Sequence, residues 1–439
     1  MTQARRPRGL PVSYRAIVLN PPSHKNAESS WRSPLQQLSA LVLTATLFLL
    51  AVFAGPEALA DGAPRQVTIG TLYASVGPFA VASQNELKGL EFWADRVNQG
   101  GGVFVKAFGK KLPVKIIKYD DRSADYTARD LYTRLIEHDH VDVLVSDFGS
   151  VLTEPGIQVA KDHHMLLIDQ TGSSASFFSA PTDYLADVSI PSSQLWPVPL
   201  SRFVLQKKYK QVAILFALNP FDSSQAKTFA HILLENGIYP YFKALRNSDA
   251  DFPAILRSLQ AAHPDAVFEF GYAPNDVAFF RAMSQTGVHF PMTFTIFPGQ
   301  LQQVITRQVG AKALAYSYTY ATPPLVKVEH VNYGMNTDAF VSAFEGATHA
   351  QPDFLNVAGY NTGLIVQHML DTAPRFDQLA FHQAIMDISG DTTTLLGPFK
   401  VDANGAQIGQ PLPVAQLVPD GSGGDKMVVV YPTDKAHAR

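Results

Sequence analysis

The stretch Val141–Gly156 reads VDVLVSDFGSVLTEPG. Its first five residues, Val141–Val145, are apolar except for Asp142 and dominated by β-branched valine, the composition of a buried strand. Thr153, Glu154 and Pro155 then carry the signals of a first helical turn. A strand that runs straight into a helix is half of a βαβ unit, which implies a parallel sheet with helices packed on it. Between the two lie Gly149 and Ser150, small residues that leave the unpaired amides of a helix start uncovered. The stretch is therefore either an ordinary helix cap or one wall of a site that grips a carboxylate.

Outward from this stretch the same alternation continues on both sides. Upstream, Val67–Leu72 reads as a strand, and Ser83 with Glu86 predicts a capping box for the helix that follows. Leu87, Leu90, Ala94 and Val97 recur at helical spacing until Asn98–Gly102 stops them. Val114–Ile117 predicts a strand and Tyr126–His138 a helix. Downstream come a helix over Leu152–His163 and a strand over Met165–Ile168. A second cycle then opens, with strands at Gln211–Ala217, Ile238–Phe242, Ala266–Phe270 and Met292–Phe297. Helices over Ser223–Glu235, Phe252–Ala262 and Asn275–Thr286 lie between them. The fold class that follows is α/β, two doubly wound parallel-sheet lobes joined near Ser189–Ser193 and again near Tyr316–Thr322. Helical patterns at Thr337–Phe344, Leu355–Thr372 and Phe376–Ser389 come next, and Leu395–Tyr431 reads as strands and turns.

Of the 439 residues, 46% are hydrophobic and 17% charged, the balance of a chain that buries a large core. The formal net charge of −3 gives no basic footprint for nucleic acid. Leu38–Phe53 is an apolar run interrupted only by Ser39, Thr44 and Thr46, then closed by Gly55 and Pro56. Ala58-Leu59-Ala60 supplies a small-x-small cleavage pattern, so residues 1–60 read as a secretory signal with a long Arg-containing lead. A membrane anchor is the competing reading, against which the run falls short of the roughly 20 residues that span a bilayer. The sequence contains no cysteine, so an exported product would rely on its core rather than on disulfides. The absence also rules out a lipid anchor on a cysteine beside the cleavage site.

Catalytic signatures are poor. Ser150 sits in FGSVL rather than in a Gly-x-Ser-x-Gly elbow. Gly100–Gly102 ends a helix, whereas a phosphate cradle opens one. Glu137–His140 and Asp162–His164 contain metal-ligand residue types, but at helix ends where such residues cap carbonyls; neither a metal nor a cofactor is expected. What remains are polar and aromatic groups at the C-terminal ends of strands, where open α/β sheets place ligands. Ser150 and Thr153 follow one strand of the first lobe, and Thr171, Gly172, Ser173 and Ser174 follow the next. In the second lobe the corresponding ends carry Phe221 with Asp222, then Tyr272, then Phe297 with Pro298. Donors on one side and aromatic surface on the other suit a small molecule with a carboxylate and an apolar body. Capping and core packing would account for the same residues one at a time.

Six motifs give this pattern a relative. They are SVGPFA (Ser75–Ala80), YDD (Tyr119–Asp121), GSVLTEP (Gly149–Pro155), GYAPND (Gly271–Asp276), FFRAMSQTG (Phe279–Gly287) and GPFKVDANG (Gly397–Gly405). In order and spacing, over Val67–Tyr431, they resemble the periplasmic solute-binding proteins of the leucine/isoleucine/valine type, which feed ABC importers. The resemblance implies a monomer that traps a small solute between two lobes by hinge closure and hands it to an inner-membrane permease. It implies a third crossing near Gly390–Thr394. The lobes would then comprise 61–189 with 319–391, and 190–318 with 392–431, leaving 432–439 as a tail. Ser150 matches the serine that helps hold the ligand's carboxylate, and Gly172, Ser173 and Ser174 the loop that supplies further contacts. Tyr272 and Phe221 match aromatic residues that cover the ligand.

Two positions depart from the family pattern. Ala82 stands where a large aromatic is usual in the first loop, which enlarges the pocket. Phe297-Pro298-Gly299 stands where an acid would meet the ligand's ammonium, and an ammonium buried alone would cost about 3–5 kcal/mol. The solute either lacks an ammonium or finds an acid elsewhere, with Asp222, Glu269 and Asp169 as candidates; Glu269 could alternatively face solvent. A ligand sensor that controls a partner protein through the same cleft is the second functional reading. A secreted hydrolase using Ser150 is the third, and it lacks an evident base.

Overall fold

Two stacks of buried apolar strands organise the chain. The computed structural model describes residues 64–432 other than 247 and 411, so the expected signal segment, residues 1–60, lies outside the described residues. The strands in chain order are β1 (Val67–Tyr73), β2 (Val103–Val105), β3 (Lys110–Leu112), β4 (Val114–Asp120), β5 (Val143–Val145), β6 (Leu167–Asp169) and β7 (Leu185–Asp187). They continue with β8 (Val212–Ala217), β9 (Tyr241–Leu245), β10 (Ala266–Phe270), β11 (Thr293–Phe294) and β12 (Tyr318–Tyr320). The last four are β13 (Thr392–Thr394), β14 (Gly397–Phe399), β15 (Val414–Pro419) and β16 (Asp425–Tyr431).

One sheet has the order β4-β1-β5-β6-β7, with every pairing parallel. The other has the order β16-β15-β12-β11-β10-β8-β9; β9 to β12 run parallel, and β15 and β16 close the edge antiparallel. All residues of β5, β6, β7 and β10 are buried, as expected of strands covered by helices on both faces. This is the doubly wound two-lobe α/β architecture expected from the alternation of patterns.

The first lobe is assembled from segments far apart in the chain. Helix Ala80–Gln99 packs on helix Phe354–Thr372 at a distance only glycine permits. A Cβ on Gly359 would fall 1.9 Å from the Glu86 carbonyl oxygen, and one on Gly89 would fall 2.1 Å from that of Asn356. Asn356 Nδ2 seals the contact by donating to the Asn85 carbonyl at 2.7 Å.

Several expected elements shift. Ser83 and Glu86 form no capping box, because the helix begins one turn earlier, at Ala80, and both residues are buried inside it. Ser83 instead accepts from the Ala74 amide at 2.7 Å and donates to Asp147 at 2.6 Å, tying the first loop to the end of β5. The helix expected from Leu152 starts at Gly149, which brings Gly149 and Ser150 into its first turn. The strand expected over Met292–Phe297 is only Thr293–Phe294, followed by a 3₁₀ turn at Phe297–Gly299. That turn lies against β12, and a Cβ on Gly299 would meet the Tyr320 carbonyl at 1.7 Å. Tyr318–Tyr320, expected at a passage between lobes, pairs inside the seven-stranded sheet. The third passage also differs from its expected place near Gly390–Thr394. Beyond that point the Gly405 carbonyl still accepts from the Asp187 amide in the first sheet, and the chain joins the other sheet only at Val414.

Candidate functional site

The ends of β5 and β6 are neighbours in the first sheet, and their loops meet. The Gly149 amide donates to Thr171 Oγ1 at 3.0 Å, and Ser150 Oγ accepts from the Ser174 amide at 3.0 Å. Thr153 Oγ1 donates to the Asp147 carbonyl at 3.1 Å. The Gly172 amide donates to Asp169 at 2.7 Å, and Ser174 Oγ pairs with Ser176 Oγ at 2.9 Å. Ser173 is fully buried, and its hydroxyl has no hydrogen-bond partner. The two loops converge as the strand order requires, but they converge largely on each other.

Across from them the second lobe presents aromatic rings. Tyr272 follows the end of β10 by two residues and stands at the N-cap of helix Ala273–Thr286. Its ring centroid lies 5.3 Å from Phe221 and 5.8 Å from Phe297 on its own side. Phe79, at 4.9 Å, and Phe148, at 5.8 Å, meet it from the first lobe. The Tyr272 hydroxyl accepts from the Ser150 amide at 3.1 Å, so the tyrosine touches the helix start directly. Gly149 makes room for it: its φ of +74° suits glycine, and a Cβ there would stand 3.0 Å from the hydroxyl oxygen. Trp196 extends the cluster, 5.1 Å from Phe221, with its indole N–H donating to the Pro191 carbonyl.

Three spaces adjoin this cluster. A void of about 10 Å³, the size of one water, is lined by Gly149, Thr171, Trp196, Phe221, Tyr272 and Phe297, among others. A second, of about 100 Å³, is mainly apolar and lies among Phe79, Ala82, Phe148, Tyr272, Phe297 and Leu301. The third is an open chamber of about 780 Å³ that shares Gln300 and Phe354 with the first void. Its polar walls include Lys88, Arg307 and Glu345.

A family model described as periplasmic binding protein matches residues 66–425. The chain belongs to the periplasmic binding protein family. Among its relatives, the Leu/Ile/Val-binding protein homolog 7 of Brucella abortus (strain 2308) is 22% identical over 403 residues, covering 86% of this chain and 94% of the relative. The crystal structure of a leucine binding protein from Thermotoga maritima superposes with a TM-score of 0.70 at 17% identity, covering 84% of this chain and 99% of the other. A solute binding protein from R. palustris, solved in complex with benzoate, superposes with a TM-score of 0.67 at 17% identity, covering 83% and 96%. The type I periplasmic binding protein fold is thus shared.

Of the expected site residues, Phe221, Tyr272, Ala82 and Phe297 line these spaces, whereas Ser150, Thr153, Gly172, Ser173 and Ser174 line none of them and lie buried in the junction of the two loops, joined to Tyr272 through the Ser150 amide. Phe79, Phe148, Trp196, Gln300 and Phe354 also line these spaces, though the sequence analysis did not single them out. The signal for the first two was available, since each is a large aromatic beside glycine or proline in a strand-end loop.

The three candidate acids separate clearly. Asp169 takes hydrogen bonds from the Gly172 amide and Ser146 Oγ, and burial still pushes its carboxyl up to about 6. Glu269 does not face solvent: it is fully buried, neither oxygen has a partner, and burial together with the charge of Asp276 drives its carboxyl well up. Asp222 lies next to Phe221, fully buried, with one oxygen held by Asn219 and the other unpartnered. Burial, then the charge of Asp276, raises it well above the usual carboxylate range. Burial also raises the Tyr272 phenol, helped by the Asp222 charge, while the Ser150 and Val151 amides pull it down. The motifs with metal-ligand residue types point to ordinary polar contacts: His163 meets Glu137 at 2.9 Å and His138 meets Asp139 at 3.2 Å.

Proposed function

We propose that this chain is the substrate-binding component of an ABC importer, capturing a small carboxylate with an apolar body between its lobes. The carrying observation is the meeting of the Gly149–Ser150 helix start and the Thr171–Ser174 loop with Tyr272, Phe221 and Phe297 across one cleft. Amides and hydroxyls there suit an anionic head, and the cavity of about 100 Å³ among Phe79, Ala82, Phe148 and Phe297 suits a ring or branched chain. The acids beside the cleft favour a solute without an ammonium. Asp222 and Glu269, with carboxyls raised by burial, make poor counter-charges compared with an ionised partner. A benzoate-like aromatic acid therefore fits better than a zwitterionic amino acid, although relatives include a leucine binding protein.

In this reading closure is a population shift, in which a solute touching both lobes favours the closed form by its differential affinity. The hinge would comprise the passages at Ser189–Ser193, after Tyr320, and between Gln407 and Val414. The protein would work as a monomer in the periplasm after removal of residues 1–60, performing no chemistry and delivering its solute to an inner-membrane permease. Mass spectrometry of solute released from the purified protein tests the class directly, alongside thermal-shift comparison of benzoate with leucine. Ser150→Ala should weaken benzoate binding about tenfold by calorimetry, in line with the 1.5–3 kcal/mol of a hydrogen bond to a charged group. Unchanged affinity would remove the Ser150 hydroxyl from the carboxylate's contacts, and tighter binding of leucine than benzoate would restore the amino acid.

A further inference from the structure

The donors at the start of helix Gly149–Asp162 are already engaged, and one partner comes from the opposite lobe. The Gly149 amide is bonded to Thr171 and Ser150 Oγ to the Ser174 amide, while the Ser150 amide points at the Tyr272 hydroxyl 3.1 Å away. We propose that Tyr272 is an internal latch: its hydroxyl sits where a solute's carboxylate would bind, and it holds the lobes together until a carboxylate displaces it. This rests on the solute-binding reading of the cleft and adds its regulation.

The surroundings support a latch rather than a chance contact. Tyr272 is 5% exposed, so its ring is committed to the interface. Four rings from both lobes lie within 6 Å of its centroid, two from each lobe. Gly149 provides the gap that admits the hydroxyl. The void that touches both Gly149 and Tyr272 holds only about 10 Å³, so the phenol and a carboxylate cannot share the place at the helix start. The phenol is neutral and accepts an ordinary hydrogen bond, whereas a carboxylate would accept a charge-assisted one, roughly twice as strong. Exchange therefore favours the solute while subtracting the latch from its apparent affinity. A weak acceptor gains too little from the exchange to displace the phenol.

The test uses the cysteine-free chain with Asp130→Cys and Lys227→Cys, exposed positions on opposite lobes, for paired spin labels. The protein is first unfolded and refolded to remove any copurified solute. Distances are then measured by double electron–electron resonance without added solute. Tyr272→Phe should lower the closed-to-open ratio about fivefold, the loss of one net hydrogen bond of about 1 kcal/mol. Gly149→Ala, which crowds the hydroxyl while leaving the tyrosine in place, should move the distribution the same way. Distances in Tyr272→Phe identical to those of the parent would overturn the latch, provided circular dichroism shows that both are folded. Calorimetry with benzoate and leucine on the parent separates the two levels. Opening in Tyr272→Phe with neither probe bound would keep the latch and reject the proposed solute class. Binding of a probe with unchanged distances would do the reverse.

Discussion

Asp169 and Glu269 stand at similar places, near the C-terminal ends of β6 in one lobe and β10 in the other, and both are completely buried. Their fates differ. Asp169 receives two donors, the Gly172 amide and Ser146 Oγ, and its carboxyl is held to about 6. Glu269 receives none, and burial together with the charge of Asp276 raises its carboxyl well above the usual range. The first lobe uses its strand ends as hydrogen-bonded junctions, while the second fills the same region with rings and leaves Glu269 without a donor. A carboxylate solute meets donors from one and apolar surface from the other.

The largest blow to this contrast should come from the aromatic side. Phe297→Ala removes a ring that is 1% exposed and packs on both Tyr272 and Phe148, and should cost about 3–5 kcal/mol in urea unfolding. A cost below about 1 kcal/mol would mean that the second-lobe rings are not a load-carrying interface. Next comes the paired comparison of the acids. Asp169→Ala takes away the oxygen that both donors reach and should lose about 1–3 kcal/mol at neutral pH. Glu269→Gln should gain stability relative to the parent as pH rises from 5 to 8.5, because the raised carboxyl resists ionisation in the folded protein. Equal losses for the two would erase the distinction.

The gentlest test is pH. The raised carboxyls bind protons more tightly folded than unfolded, so their contribution is fully present below about pH 4 and is lost as pH rises through the folded values. Those values are about 6 for Asp169 and about 7 for Asp276. Thermal unfolding should therefore shift to lower temperature between pH 5 and pH 8. Glu269→Gln should flatten that slope more than Asp169→Ala does.

Much of the architecture was legible because buried parallel strands write themselves as short apolar runs. Ala266–Phe270 was read with its observed bounds, and Val141–Val145 was located to within two residues. Boundaries failed where tertiary contact overrides local signals. Ser83 looks like a cap in sequence but is drawn into the core by Asp147 and the Ala74 amide. β7 (Leu185–Asp187) was missed, being only three residues long with no periodicity of its own. At the cleft, the donor loops and Tyr272 were visible from their places after strands. The contact between Tyr272 and Ser150 spans 122 residues, and no local pattern encodes it. Nor could the sequence reveal that the helix-start amides already have partners inside the protein.

The glycine contact between helices Ala80–Gln99 and Phe354–Thr372 has a bearing on how the molecule comes into being. The Asn85–Asn356 bond joins residues 271 apart, so this helix–helix contact of the first lobe does not exist until most of the chain has been made. Until then helix Ala80–Gln99 can pack on β1 and β4 but lacks the partner for its Gly89 face, and pairings of such long sequence separation form slowly. A polypeptide that stays unfinished through most of its synthesis remains threadable, which is the condition a chain must meet to pass through a narrow pore before it folds.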